Sequence, residues 1–110
     1  MEVEQKGHTT TIRNTQCNTA EFFQKLHHEY NSYKSQNIIV DLSHDKDLTM
    51  DDIKLFTDLT KIHTKGKKSI VLVSNSINFN TVPKNITLVP TILEAHDIIE
   101  MEEIERDLGF

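Results

Sequence analysis

Asn37-Ile-Ile-Val-Asp-Leu42 is a continuous apolar run that ends in an acid, and Ser69-Ile-Val-Leu-Val-Ser74 repeats the pattern further along the chain. A strand with one face in water alternates apolar and polar residues, so an unbroken run marks a strand covered on both faces, as in a parallel sheet. The segment between the two runs reads as one helix. Thr49 can cap it, Asp51 and Asp52 occupy its first turn, and Ile53, Phe56, Leu59 and Ile62 supply the apolar stripe. Gly66 stops it, with Lys65 alongside. Strand, helix and strand make a βαβ unit, which places the two runs side by side in parallel, with 37–42 as the central strand.

Upstream, Asn18 followed by Glu21 is a capping-box-like start. Phe22, Leu26, Tyr30 and Tyr33 then keep helical spacing, which predicts a helix over 19–34. Residues 2–6 and 8–13 flank Gly7, and Thr9 to Arg13 is rich in β-branched residues, so a hairpin or a pair of edge strands is expected. Downstream, a loop around Pro83 covers Asn75 to Asn85, and Ile86-Thr-Leu-Val89 is a third short strand closed by Pro90. Thr91-Ile-Leu-Glu94 is a capping box that opens the last helix, with Leu93 or Ile92, Ala95, Ile98 and Ile99 facing inward. The predicted order is ββαβαβα, an α/β fold with a mixed sheet of about four or five strands and helices packed on it.

A chain of 110 residues is expected to build one domain. Apolar residues are 36% and charged residues 26%, polar for a globular chain yet too apolar for disorder. No stretch has the length of a membrane span, and MEVEQKGHTT lacks the apolar core of a signal peptide, which together lead to an expectation of a cytoplasmic protein. A single cysteine, Cys17, excludes an internal disulfide and a multi-cysteine zinc site.

The net charge of −5 is unevenly placed, because residues 94–107 hold seven acids against one base, Arg106. The chain thus divides into an α/β domain over 1–99 and an acidic helical extension over 100–110. The one basic cluster, Lys65, Lys67 and Lys68 around Gly66, suits a helix C-terminus and is too small for nucleic acid, so no nucleic-acid partner is expected.

Catalytic motifs are missing. Gly7, Gly66 and Gly109 are isolated and form neither a phosphate-binding loop nor a dinucleotide fingerprint. His27 and His28 are adjacent on a helix and point apart, whereas two helical metal ligands need a spacing of three or four. Asp41, Asp45 and Asp47, with His44, follow the central strand at the carboxyl edge where open α/β sheets bind ligands. They are either a solvated, helix-capping loop or, as an alternative, a magnesium-binding phosphoacceptor or small α/β enzyme site. Past Ile98, the residues Met101, Ile104 and Leu108 keep helical spacing among acids that oppose the helix dipole. The segment is either the solvated end of the helix, a surface for partner docking through Glu102, Glu103, Ile104, Leu108 and Phe110, or an apolar face shared in a homodimer.

Ile38-Ile-Val-Asp-Leu-Ser43, a helix, Lys65-Gly-Lys67, Ile70-Val-Leu-Val73 and Val89-Pro-Thr-Ile-Leu-Glu-Ala95 together resemble the STAS domain of anti-sigma factor antagonists, over about residues 1–100. The resemblance implies a non-catalytic interaction module without a resident cofactor, whose partner is a protein such as an anti-sigma-type kinase. Some members bind nucleotides. It places the contact surface at Ser43, His44, Asp45, Asp47 and Thr49. Where the family has Asp-Ser-Ser-Gly-Leu at the helix start, this chain has Leu48-Thr-Met-Asp-Asp52, so Thr49 alone corresponds to the phosphorylated position. The family's helix after the third long strand is replaced by the loop Asn75 to Asn85. The ending Ile98 to Phe110 resembles short bacterial proteins labelled ribonuclease Z. The six histidines lack that enzyme's His-x-His-x-Asp-His motif, so the resemblance implies an accessory partner of ribonuclease Z rather than its activity.

Overall fold

The two apolar runs become neighbouring parallel strands. The computed structural model describes residues 1–15, 18–77 and 81–109. In it, β1 (Glu2–Lys6) and β2 (Thr9–Arg13) form an antiparallel hairpin through the two-residue loop Gly7-His8, where Gly7 takes a φ of +61°. Then come α1 (Thr19–Glu29), a 3-10 turn over Tyr30–Ser32, β3 (Asn37–Asp41), α2 (Met50–Lys54), α3 (Thr57–Lys65), β4 (Ile70–Val73), β5 (Leu88–Val89) and α4 (Ile92–Asp107). The sheet runs β1-β2-β3-β4-β5, antiparallel only between the first two, and β3 is central. The fold is α/β with a mixed sheet. None of the helices among the described residues is long and apolar enough to cross a membrane.

Side chains of β3 alternate between two cores. Ile38 and Val40 join Ile12, Leu72 and Leu88 under Phe22 and Leu26 of α1, Ile53 of α2 and Leu59 of α3. Ile39 joins Val71, Val73 and Val89 on the other face, under Ala95 and Ile99 of α4. One face of the sheet thus carries three helices and the other a single one. Burial on both faces explains why the strand runs are unbroken.

Several boundaries differ from expectation. The helix predicted to start at Thr49 breaks at Leu55 and Phe56 into α2 and α3. Its stripe of threes drifts by about 60° per step on a 3.6-residue helix, so Ile62 ends up 57% exposed while His63, four residues past Leu59, turns inward. The first helix gives way to the 3-10 turn at Tyr30, and the third short strand is confined to Leu88–Val89, although Ile86 is also buried. Ile92 packs against the core and Leu93 does not.

The stop at Gly66 also differs in detail. Gly66 has a φ of −78°, and Lys67 takes the left-handed conformation at φ +63°. Lys67 N–H donates to the Thr64 carbonyl at 2.9 Å and Lys68 N–H to the His63 carbonyl at 3.3 Å, the two bonds of a Schellman motif whose left-handed residue is usually glycine. Lys67→Gly relieves the Cβ clash at some cost in chain entropy. A gain of about 0.5–1 kcal/mol is expected in urea denaturation.

His63 is fully buried, its Nδ1 2.7 Å from the Tyr30 hydroxyl, with the rings edge to face. Burial pulls its pKa down, and the charges of Lys68 and Arg106 add to this, against the nearby backbone oxygens of Gln36 and Ser69. The folded state therefore holds the ring neutral at pH values where the unfolded chain accepts a proton. Stability that is complete above about pH 6.5 is lost as pH falls through that value toward the depressed folded pKa. Thermal melts from pH 7.5 to 5 should show this loss in the wild type. His63→Leu should flatten the curve over that window, and an unchanged slope would remove His63 as its cause.

Candidate functional site

The carboxyl edge of the sheet is built by the ends of β2 and β3 and the loop that follows. Register pairs Arg13 with Asp41. Arg13 Nε donates to Asp41 Oδ2 at 3.0 Å, and its Nη1 lies 3.3 Å from Glu2 Oε2. The other Asp41 oxygen accepts from the Ser43 amide at 3.0 Å and the Ser43 hydroxyl at 2.6 Å. Burial alone would raise the Asp41 pKa, but the Ser43 bonds and the Arg13 guanidinium outweigh it and hold the carboxyl below its ordinary value. Reciprocally, the bond to Asp41 is the main reason the Arg13 pKa is raised.

Asp45 is only 3% exposed. Its Oδ2 accepts from the Thr19 hydroxyl at 2.6 Å and the Thr19 amide at 3.3 Å, and Oδ1 accepts from the Asp47 amide at 3.0 Å. Both oxygens are committed to tying the start of α1 to the loop after β3. Asp45 is therefore a buried staple and not an accessible contact residue, which corrects its placement on the partner surface. Asp41 is likewise consumed by Arg13 and Ser43. Among the described residues no group of three His, Cys, Asp or Glu side chains converges so as to hold a metal, and the proposed trio of Asp41, Asp45 and Asp47 does not assemble.

What this loop presents outward is His44, Lys46, Asp47 and Thr49, with Ser43 half-buried. Thr49 caps α2 through a complete capping box. Its Oγ1 accepts from the Asp52 amide at 3.3 Å, and Asp52 Oδ2 accepts from the Thr49 amide at 3.0 Å. At Thr91, the Oγ1 accepts from the Glu94 amide at 3.1 Å, the half of a box that caps α4.

The acidic ending is not separate from the domain. Residues 100–107 are the second half of α4, a single helix across the boundary at residue 99. Glu102 accepts from the Ser69 hydroxyl, and Arg106 Nη1 donates to the same hydroxyl at 3.0 Å. Arg106 Nη2 reaches Asn37 Oδ1 at 3.5 Å. Glu102 is thus half-buried and bonded to Ser69 beside the amino end of β4. Glu103 is half-buried and lines a cleft of about 310 Å³ with Lys6, His8, Thr9 and His96. Ile104 and Leu108 do face solvent, whereas Phe110, like Cys17, lies outside the described residues.

α4 carries apolar side chains on two opposite faces. Ala95 and Ile99 are buried, while Leu93, Met101, Ile104 and Leu108 are 73%, 60%, 57% and 68% exposed. At 100° per residue these four fall within an arc of about 80°, a ridge roughly 22 Å long that the exposed Asp97 interrupts between Leu93 and Met101. Leu93 belongs to the ridge although its neighbour Ile92 fits the inward pattern equally well in sequence. The signal available beforehand was the spacing of Met101, Ile104 and Leu108. No family model matches the chain, and no curated protein matches it.

Proposed function

We propose that this chain is a cytoplasmic, non-catalytic STAS-like interaction module that binds a protein partner. The contact surfaces are the exposed His44, Asp47 and Thr49 and the outward ridge of α4. The observation that carries the reading is that ridge, four large apolar side chains in water on a helix whose opposite face is already buried. A helix in a domain this small needs one apolar face for its core, and a second one has a use only when something covers it. Asp41 and Asp45 are occupied by bonds within the fold, so the contact surface at this edge rests on the exposed His44, Asp47 and Thr49.

The resemblance to anti-sigma factor antagonists makes an anti-sigma-type kinase the partner to look for, and the separate resemblance of the ending to short proteins labelled ribonuclease Z adds that enzyme. Thr49 is the candidate phosphosite. It is exposed, and a phosphate there would meet the favourable end of α2 but also Asp51 and Asp52. Intact-mass analysis of the protein from its native cell tests this, and a mass never shifted by one phosphate across growth conditions removes Thr49 as a switch. The interaction is tested by capture from native lysate, comparing the wild type with Ile104→Asp. A point change is needed because truncation at residue 99 would also remove Glu102 and Arg106 from Ser69. A kinase or ribonuclease Z retained by the wild type and lost by the variant supports the proposal. Identical or empty captures overturn it.

A further inference from the structure

β5 pairs only with Leu72 and Val73, so the amino half of β4, Ile70 and Val71, has no strand beside it on that side. The gap holds a cavity of about 370 Å³, bounded by the end of α3 and its Schellman turn, by Asn85 and Thr87 ahead of β5, and by the second half of α4. That size falls within the roughly 300–1,000 Å³ of small-ligand pockets. None of the four ridge residues of α4 lines it, so the cavity stands apart from the protein-contact surface.

Its lining is rich in donors that the fold does not use. Thr60 is only 4% exposed, yet its hydroxyl makes no hydrogen bond among the described residues. A buried polar group without a partner is uncommon and calls for a reason. Thr64 stands one turn further along α3, on the same face. Lys67 and Lys68 line the cavity and form no ion pair among the described residues, and Lys68 is half-buried. Lys67 holds a φ of +63°, where glycine would sit without strain, and the lysine keeps a charged side chain on the cavity wall that glycine would lack. Arg106 adds a third cation. Of the two carboxylates present, Glu102 shares the Ser69 hydroxyl with Arg106, which offsets its charge, and Glu105 stands exposed. Three cations against two acids favour an anion, while a carboxylate accepts from hydroxyl groups. Ile70 is the one apolar residue and no aromatic ring lines the cavity among the described residues, so a nucleobase would find nothing to stack on.

We propose that this cavity binds a small phosphomonoester that carries several hydroxyl groups, of the sugar-phosphate class. Lys67 and Lys68 hold the phosphoryl oxygens, the Thr60 and Thr64 hydroxyls donate to them, and Glu105 accepts from the hydroxyls of the ligand. Lys67 and Glu105 reach in from exposed positions, so the affinity is modest and falls with added salt.

Amide NMR titration of the full chain with glucose 6-phosphate tests it, with inorganic phosphate, glucose and AMP as comparisons. Glucose 6-phosphate should shift the amides of Thr60, Thr64, Lys67, Lys68 and Thr87 in a saturable way, and bind more tightly than inorganic phosphate, glucose or AMP. Lys67→Gly separates binding from folding, because it should make the chain more resistant to urea while weakening glucose 6-phosphate about tenfold. Lys68→Gln should weaken it by a similar factor. Glu105→Ala, at an exposed position, should weaken glucose 6-phosphate but tighten inorganic phosphate, since a hydroxyl acceptor and a repelling charge leave together. The absence of saturable shifts up to about 20 mM glucose 6-phosphate overturns the proposal. So does inorganic phosphate or AMP that binds as tightly as glucose 6-phosphate, or a Lys67→Gly variant that binds like the wild type.

Discussion

Asp45→Ala should cost about 3 kcal/mol of stability in magnesium-free buffer, read from urea denaturation with the slope unchanged. The carboxylate is buried and holds the Thr19 hydroxyl, the Thr19 amide and the Asp47 amide. Alanine leaves these donors without an acceptor, and an unmet buried donor costs more than the bond contributes. Asp45→Asn keeps one oxygen in place and should lose about 1 kcal/mol. A cation ligand behaves in the opposite way, because acids crowded for a metal repel one another when it is absent, so neutralising one stabilises the metal-free protein. An Asp45→Asn variant more stable than the wild type without magnesium, and insensitive to added magnesium, would return the sheet edge to the phosphoacceptor reading.

Parts of this arrangement are legible in the sequence because they rest on local rules. The unbroken runs at 37–42 and 69–74 can only sit in strands covered on both faces, and β3 and β4 do. Asn18, Thr49 and Thr91 cap the helices they precede, since capping depends on residues three apart in the chain. What is decided by distant residues is not legible. Asp45 reads as a solvated loop acid until Thr19, 26 residues earlier, is placed against it. His63 reads as a surface residue on a helix whose stripe runs through Ile62, and it turns inward because α3 restarts at Thr57 and the ring meets Tyr30. The spacing of Met101, Ile104 and Leu108 marks a second apolar face, but only docking of Ala95 and Ile99 on β3, β4 and β5 shows that this face is outward and that Leu93 extends it.

The break between α2 and α3 carries the other large effect. Phe56 is fully buried at the junction and meets Phe23 edge to face at 5.0 Å between ring centroids. No glycine or proline marks this position, and Leu55 and Phe56 both keep right-handed helical dihedrals, so the break between α2 and α3 is a local tightening of the last turn of α2 over the buried ring. Phe56→Ala should cost about 3–5 kcal/mol, combining lost burial with the cavity left under α2 and α3. Because total stability in small domains is only about 5–15 kcal/mol, the variant should be partly unfolded in mild denaturant. Phe56→Leu should retain most of the burial and lose about 1–1.5 kcal/mol. The pair also bears on function. α2 has five residues and is anchored by Ile53 and the neighbouring Phe56, so loosening this contact should free the turn that presents Thr49 before it melts the sheet. Amide exchange in Phe56→Leu should rise first at Met50 to Lys54 while β3 and β4 stay protected. Exchange that rises uniformly would mean α2 is held by its capping box and not by the phenylalanine beneath it.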